Sequence, residues 1–262
     1  MLDPVLNFKK MLEINKIHNA DCLEAMQKIP DASIDLILTD LPYGTSNCSW
    51  DIVIPFKKLW KEYQRIRKDN SAIVLFGQEP FSSFLRLSNL KEYKYDWYWE
   101  KEKPTNIFQV KRRPGKVIET ISVFYKKQCA FNPQMRKHVG PLVKNSPKGS
   151  HSEIYAGKTT FITPYNDTGF RYPSQLIKIR REKNGIADHP TQKPVALFEY
   201  LIKTYTNEND LVLDSCAGSA TTAVACQNLK RNWICIEKNK EYCEAGEKRL
   251  AANNIVHSQR IV

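Results

Sequence analysis

The chain has 262 residues and 42% hydrophobic content, enough to bury one large α/β core or a core that carries an insertion. No apolar run is long enough to cross a bilayer and no signal-peptide core opens the chain, so a cytoplasmic protein with no membrane partner is expected. Seven cysteines without a C-x-x-C pair imply reduced thiols and no metal site, with Cys216, Cys226 and Cys235 packing as small hydrophobes, and the formal charge of +12 favours a polyanionic partner.

In chain order, the alternation over 13–18 predicts a short strand that ends at Asn19-Ala20-Asp21. A helix from about Cys22 to Ile29 should follow, with Leu23, Met26 and Gln27 on one face. The run Ile34-Asp35-Leu36-Ile37-Leu38-Thr39 reads as a buried parallel strand, closed by Asp40-Leu41-Pro42-Tyr43-Gly44. Apolar positions 56, 59, 60, 63 and 66 have a helical period, 72–76 is a buried strand, and 79–87 reads as a helix. Aromatic and β-branched runs at 95–99 and 120–125 predict two strands joined by the loop 101–118.

Periodicity then fades. Between Lys126 and Lys183 twelve basic residues face three acids, a net +9, interleaved with aromatics such as Phe131, Phe170 and Tyr172. Basic groups beside aromatic and amide side chains suit a nucleic acid, and Arg136, Lys137, Arg171, Gln175, Arg180 and Arg181 are the candidate DNA contacts. A solvated basic loop is the plain alternative. Order returns at His189-Pro190-Thr191-Gln192-Lys193-Pro194, ahead of a helix over 194–205 that starts on Pro194. A strand 211–214, a helix 221–229, a strand 232–236 and a helix 240–252 complete an alternating pattern. That pattern calls for a mostly parallel sheet with helices on both faces, interrupted by the basic segment. The expected parts are a catalytic half (1–125), a basic target-recognition insertion (126–187) and a cofactor-binding half (188–262) of one domain.

Two turns carry the chemistry. Asp214-Ser215-Cys216-Ala217-Gly218-Ser219-Ala220 links a strand to a helix that begins at Thr221, so small residues admit a ligand to the backbone and to a helix N-terminus. Glu237 follows at the end of the next strand, placed for ribose hydroxyls, and Asp21 could reach an adenine amine or simply cap its helix. Without G-x-G-x-x-G, a compact cofactor with adenosine and an amino-acid tail fits better than a dinucleotide. At the other turn, the Asp40 carboxylate and a backbone carbonyl of Leu41 or Pro42 can accept both hydrogens of an exocyclic amine. Pro42 would stiffen the loop and Tyr43 would offer a face for stacking a flipped base. As a bland alternative, Asp40 to Tyr43 is only a turn after a strand.

These motifs in this order resemble the β class of DNA amino-methyltransferases. Asp40 to Tyr43 is similar to D/N/S-P-P-Y, Asp214 to Thr222 to D-P-F-x-G-S-G-T-T, and 189–194 matches H-P-T-Q-K-P. The resemblance implies a Rossmann-like methyltransferase fold and S-adenosyl-L-methionine held by Asp21, Asp40, Lys193, Asp214, Gly218, Ser219, Thr221, Thr222 and Glu237. It also implies catalysis at Asp40, Pro42 and Tyr43 on double-stranded DNA. Leu41, Ser215-Cys216 and Ala220 depart from the family pattern. An acidic first motif residue favours adenine N6; cytosine N4, RNA, a protein amide and a catalytically silent DNA-binding relative are the alternatives. The resemblance also leaves room for a homodimer, and for a cognate restriction endonuclease as a genetic but not physical partner.

Overall fold

The computed structural model describes residues 11–46, 48, 50–142, 167–180 and 192–259. They fall into two compact units, 1–132 with 175–262, and 133–174.

The larger unit is built on an eight-stranded sheet. Its strands are β1 (Lys16–Asn19), β2 (Ile34–Thr39), β3 (Arg67–Gly77), β4 (Tyr93–Glu100), β5 (Ile118–Phe124), β8 (Leu176–Lys178), β9 (Leu211–Asp214) and β10 (Asn232–Glu237). β6 (Arg136–Lys137) and β7 (Phe170–Arg171) form a separate antiparallel pair in the smaller unit. The large sheet runs β1-β10-β9-β2-β3-β5-β4-β8, and only the β3–β5 and β5–β4 pairs are antiparallel. This is the mostly parallel α/β sheet expected.

Helices cover both faces. α1 (Cys22–Met26), α2 (Phe56–Ile66) and α3 (Phe81–Ser88) pack with Ile34, Ile37, Ile73 and Leu75. α4 (Val195–Tyr205), α5 (Thr221–Asn228) and α6 (Lys240–Gln259) pack with Leu36, Leu38, Val74 and Val212 on the other face. Leu36, Ile37 and Leu38 of β2 point alternately into the two cores, which is why this stretch is a continuous apolar run. A fully buried leucine or isoleucine contributes roughly 1.5–3 kcal/mol, so this central strand is strongly held in register.

Several elements differ from expectation. α1 stops at Met26, and its buried face is Cys22, Ala25 and Met26; Gln27 is exposed. β3 begins at Arg67, five residues early, because Arg67 is itself buried and pairs with Glu92 at 2.6 Å. α6 continues past 252 to Gln259, and Pro194 is the cap of α4, not its first residue. Inside the basic segment, β8 adds parallel to β4 through Tyr98–Leu176 and Trp99–Ile177, a strand that no sequence pattern announced.

The order in which strands are added reverses between β9 and β2. From β2 the chain builds outward through β3, and from β9 it builds the other way through β10. Neighbouring strands whose crossovers diverge leave a crevice at their carboxyl ends, and here those ends carry Asp40 and Asp214. Residues 176 positions apart in sequence meet there, with the Ser215 amide donating to Thr39 Oγ1 at 3.1 Å.

Candidate active site

A cavity of about 1190 Å³ opens over this crevice, lined by Asp21, Asp40, Leu41, Pro42, Tyr43, Lys193, Asp214 to Ser219, Thr221 and Glu237 among others. Its volume exceeds the range of roughly 300–1,000 Å³ typical of one small ligand, so it has room for a cofactor and a second group together.

Asp40 leaves the end of β2 and both its carboxylate oxygens are engaged. Tyr43 donates its hydroxyl to Oδ1 at 2.6 Å, and Lys193 donates Nζ to Oδ2 at 2.5 Å. Lys193 also lies 3.3 Å from Oε2 of Glu119, whose Oε1 accepts from Lys101 at 2.9 Å. Two acids and two lysines thus form one chain of alternating charge, and Lys101, Glu119 and Lys193 are buried in it. Burial pushes the Lys193 ammonium down, but the Asp40 and Glu119 carboxylates outweigh it and raise it above the usual lysine value. Burial pushes Glu119 up, and the two lysines more than offset this and hold it low. Burial and then the Asp40 charge keep the Tyr43 phenol well above its ordinary value, so it remains a donor. The half-buried Tyr43 ring leans on Phe81, with centroids 5.1 Å apart.

The loop after Tyr43 is fixed by a residue that sequence reasoning missed. Asp51 accepts the backbone amides of Gly44, Thr45 and Ser46 at 2.7–2.8 Å. Its burial raises the carboxyl, but these amides outweigh it and hold the group below the usual carboxylate range. Gly44 has φ +67°, and a Cβ there would come within 2.8 Å of Val53 Cγ2, so only glycine fits the turn. The one advance signal was the cluster of turn-forming residues between Gly44 and Asp51.

The second turn is organised from beneath. Asp214 is buried and accepts the Thr222 hydroxyl in a short hydrogen bond, and the Cys216 amide at 3.1 Å. Burial pushes its carboxyl up to about 7, further helped by the Asp40 and Glu237 charges and resisted by those two donors. Thr222 does not line the cavity; it acts on Asp214. Glu237 grips the turn, accepting the Gly218 amide on Oε2 and the Asn239 amide on Oε1, both at 2.8 Å. Ser219 donates to Gln192 Oε1 at 3.0 Å, and Arg249 donates to the Thr221 hydroxyl at 2.9 Å. Asp21 caps α1 by accepting the Leu23 amide at 3.0 Å, while its other oxygen lies 3.4 Å from Lys238. Cys226 and Cys235 are fully buried as expected, whereas Cys216 is half-buried on the cavity wall, with its thiol sulfur 3.9 Å from Ser215 Oγ.

The candidate DNA contacts are scattered. Arg136 and Lys137 are exposed on β6, and Arg171 on β7 clamps Asp167 through both guanidinium nitrogens at 2.6 and 2.7 Å. In the larger unit, Gln175 gives its carbonyl to the Tyr98 amide, and exposed Arg180 pairs with Glu102 at 2.9 Å. Arg181 and His189, Pro190 and Thr191 of the predicted cofactor segment lie outside the described residues.

The donor set suits S-adenosylmethionine. Asp21, Asp214 and Glu237 place carboxylates on the cavity wall, the chemistry that ribose hydroxyls and cationic groups need, and the first amides of α5, which have no partner within the helix, are of the kind a carboxylate takes. A family model described as DNA methylase matches residues 34–248. The type II methyltransferase M1.MboII of Moraxella bovis is 30% identical over 248 residues, spanning 88% of this chain and 95% of its own. The DNA adenine methyltransferase YhdJ of Escherichia coli K12 is 28% identical, over 91% of this chain and 83% of its own. The crystal structure of an M1.HpyAVI–SAM complex superposes with a TM-score of 0.58 at 29% identity, over 89% of this chain and 98% of that one. No helix among the described residues is long and apolar enough to cross a membrane. The chain therefore belongs to the DNA methylase family, as an S-adenosylmethionine-dependent DNA methyltransferase with a Rossmann-like fold.

Proposed function

We propose that this cytoplasmic enzyme methylates the N6 amine of an adenine flipped out of double-stranded DNA. The observation that carries this reading is the Asp40 carboxylate, aimed into the cofactor cavity and oriented through both oxygens by Tyr43 and Lys193. An ionised carboxylate has about four lone-pair sites, so an oxygen that already accepts one donor can still accept an amine hydrogen.

Bound S-adenosylmethionine supplies the electrophilic methyl group. Asp21, Asp214, Gly218, Ser219, Thr221 and Glu237 would hold it, with Thr222 fixing the Asp214 carboxylate and Lys193 tying the cofactor side to Asp40. Asp40 accepts one amine hydrogen, a carbonyl of Leu41 or Pro42 accepts the other, and the nitrogen lone pair is thereby turned toward the methyl donor. Pro42 limits the loop, and the Tyr43 ring gives the extrahelical base a surface. The rate gain rests on position, since aligned neighbours can supply most of the barrier reduction without a strong base. An acid at the first motif position favours adenine, and the similarity to YhdJ supports the same base. The segment 126–187 would select the sequence, with Arg136, Lys137, Arg171, Gln175, Arg180 and Arg181 the candidates for phosphates or base edges.

Mass spectrometry of nucleosides from DNA treated with the enzyme and S-adenosylmethionine tests the base. N6-methyladenine is expected; N4-methylcytosine alone would reassign the substrate to cytosine.

A further inference from the structure

The loop between β4 and β5 ends in an apolar tip that nothing among the described residues of the larger unit covers. Ile107 to Gln109 form one 3-10 turn, and Ile107, Phe108 and Val110 are all exposed, Phe108 completely. A phenylalanine left wholly in water gives up the burial that usually justifies it. Around it, residues 103–118 carry Lys103, Lys111, Arg112, Arg113 and Lys116 with no acid. An apolar point ringed by cations is the arrangement expected of a group that enters a nucleic-acid duplex.

The loop is also built to hold that point still. Thr105 and Lys116 pair across it, Asn106 accepts the Lys116 amide at 2.6 Å and donates to the Pro114 carbonyl at 3.1 Å. Gly115 is packed so closely on Pro104 that a Cβ would lie 2.8 Å from it. At its root, Lys101 is buried and bonded to Glu119, the same carboxylate that faces Lys193 and so joins the Asp40 chain. Lys103, Pro104, Thr105 and Ile107 line the rim of the cavity that holds Asp40.

We propose that Phe108 is a wedge that enters the DNA stack and fills the space left by the target base as it moves to Asp40. This rests on the reading of the cavity as the site of an extrahelical base, but holds for either an adenine or a cytosine target. The flanking Lys111, Arg112 and Arg113 would hold phosphates on either side of the opening. The cost of unstacking is then offset by the ring in the vacated stack, and a base that is already mispaired needs less of that help.

The test uses the full chain and a duplex carrying a sequence it methylates, identified by sequencing DNA from cells that express it. Phe108→Ala is expected to slow methyl transfer to the paired duplex by about tenfold or more, with cofactor affinity and melting temperature unchanged. On a duplex with a mismatch opposite the target base, the same variant is expected to recover to within about threefold of the unsubstituted enzyme. Phe108→Leu, which keeps an apolar point, should lose much less. Unchanged transfer by Phe108→Ala on the paired duplex, or an equal loss on paired and mismatched duplexes, would overturn the wedge. Failure of the adenine assignment would appear separately, as the wrong methylated nucleoside made by the unsubstituted enzyme.

Discussion

Both oxygens of Asp40 accept hydrogen bonds from within the protein, and this changes what substitutions around it should do. From sequence, Tyr43 matters for its ring, so Tyr43→Phe should be much milder than Tyr43→Ala. The hydroxyl, however, donates to Asp40 Oδ1 at 2.6 Å. A hydrogen bond to a charged group contributes about 1.5–3 kcal/mol, so Tyr43→Phe is expected to lower kcat by roughly ten- to a hundredfold with little change in cofactor affinity. Tyr43→Ala, which also removes the stacking surface, should be worse; single-turnover rates and calorimetry on the two variants check both statements. Asp214 makes a pH-dependent prediction. Its folded value, about 7, lies above that of an unfolded aspartate, so its contribution is full below about pH 4 and is lost as pH rises through 7. The ionised, buried carboxylate then costs stability, on the order of 4 kcal/mol for a shift of this size. Asp214→Asn should therefore gain in melting temperature relative to the unsubstituted chain between pH 5 and 8, and a constant difference across that range would refute the assignment.

At the scale of elements, the turn into α5 depends on a match between two small residues. Ala220 caps the helix in the left-handed conformation, φ 59° and ψ 40°, where an L-residue pays roughly 1–2 kcal/mol. Its methyl faces Gly246 of α6, where an added Cβ would sit 3.0 Å from it and 2.8 Å from Ile17 Cδ1. Ala220→Gly is expected to stabilise by about 1 kcal/mol, and Gly246→Ala to destabilise despite the usual helical preference for alanine. Combined, Ala220→Gly should relieve part of the damage from Gly246→Ala. Thermal melts of the two single variants and the pair measure that coupling, and strict additivity would show that the methyls do not meet. The same elements show what could be read in advance. β2 and β9 were legible because both their faces are buried and their sequences are continuous apolar runs. The start of β3 was not, since its buried Arg67 is a polar residue that only a partner, Glu92, makes tolerable. β8 was hidden because three residues on an edge are too few to show a period. In the site, local motifs marked Asp40, Tyr43, Asp214 and Glu237. Lys101, Glu119 and Asp51 escaped because their roles exist only through contacts across the fold, and the Tyr43 hydroxyl and Lys193 drew attention for other reasons than the carboxylate they orient.

For the whole molecule, the sheet topology does the decisive work. Because β2 and β9 are neighbours with diverging crossovers, the Asp40 turn and the Asp214 turn open into one cavity, although Asp40 and Asp214 are 174 positions apart. The net +12 charge favours approach to DNA and implies that binding weakens as salt rises. On the proposed reading, methyl transfer depends on one carboxylate held at the meeting point of the two turns. The most direct test measures single-turnover transfer of a labelled methyl group from S-adenosylmethionine to DNA by Asp40→Ala, alongside its affinity for each. Transfer is expected to fall by at least about a thousandfold while both affinities stay within a few-fold, as befits a group that orients the amine and does not hold either ligand. Transfer within tenfold of the unsubstituted enzyme would contradict the role given to Asp40, and with it the central reading of the cavity.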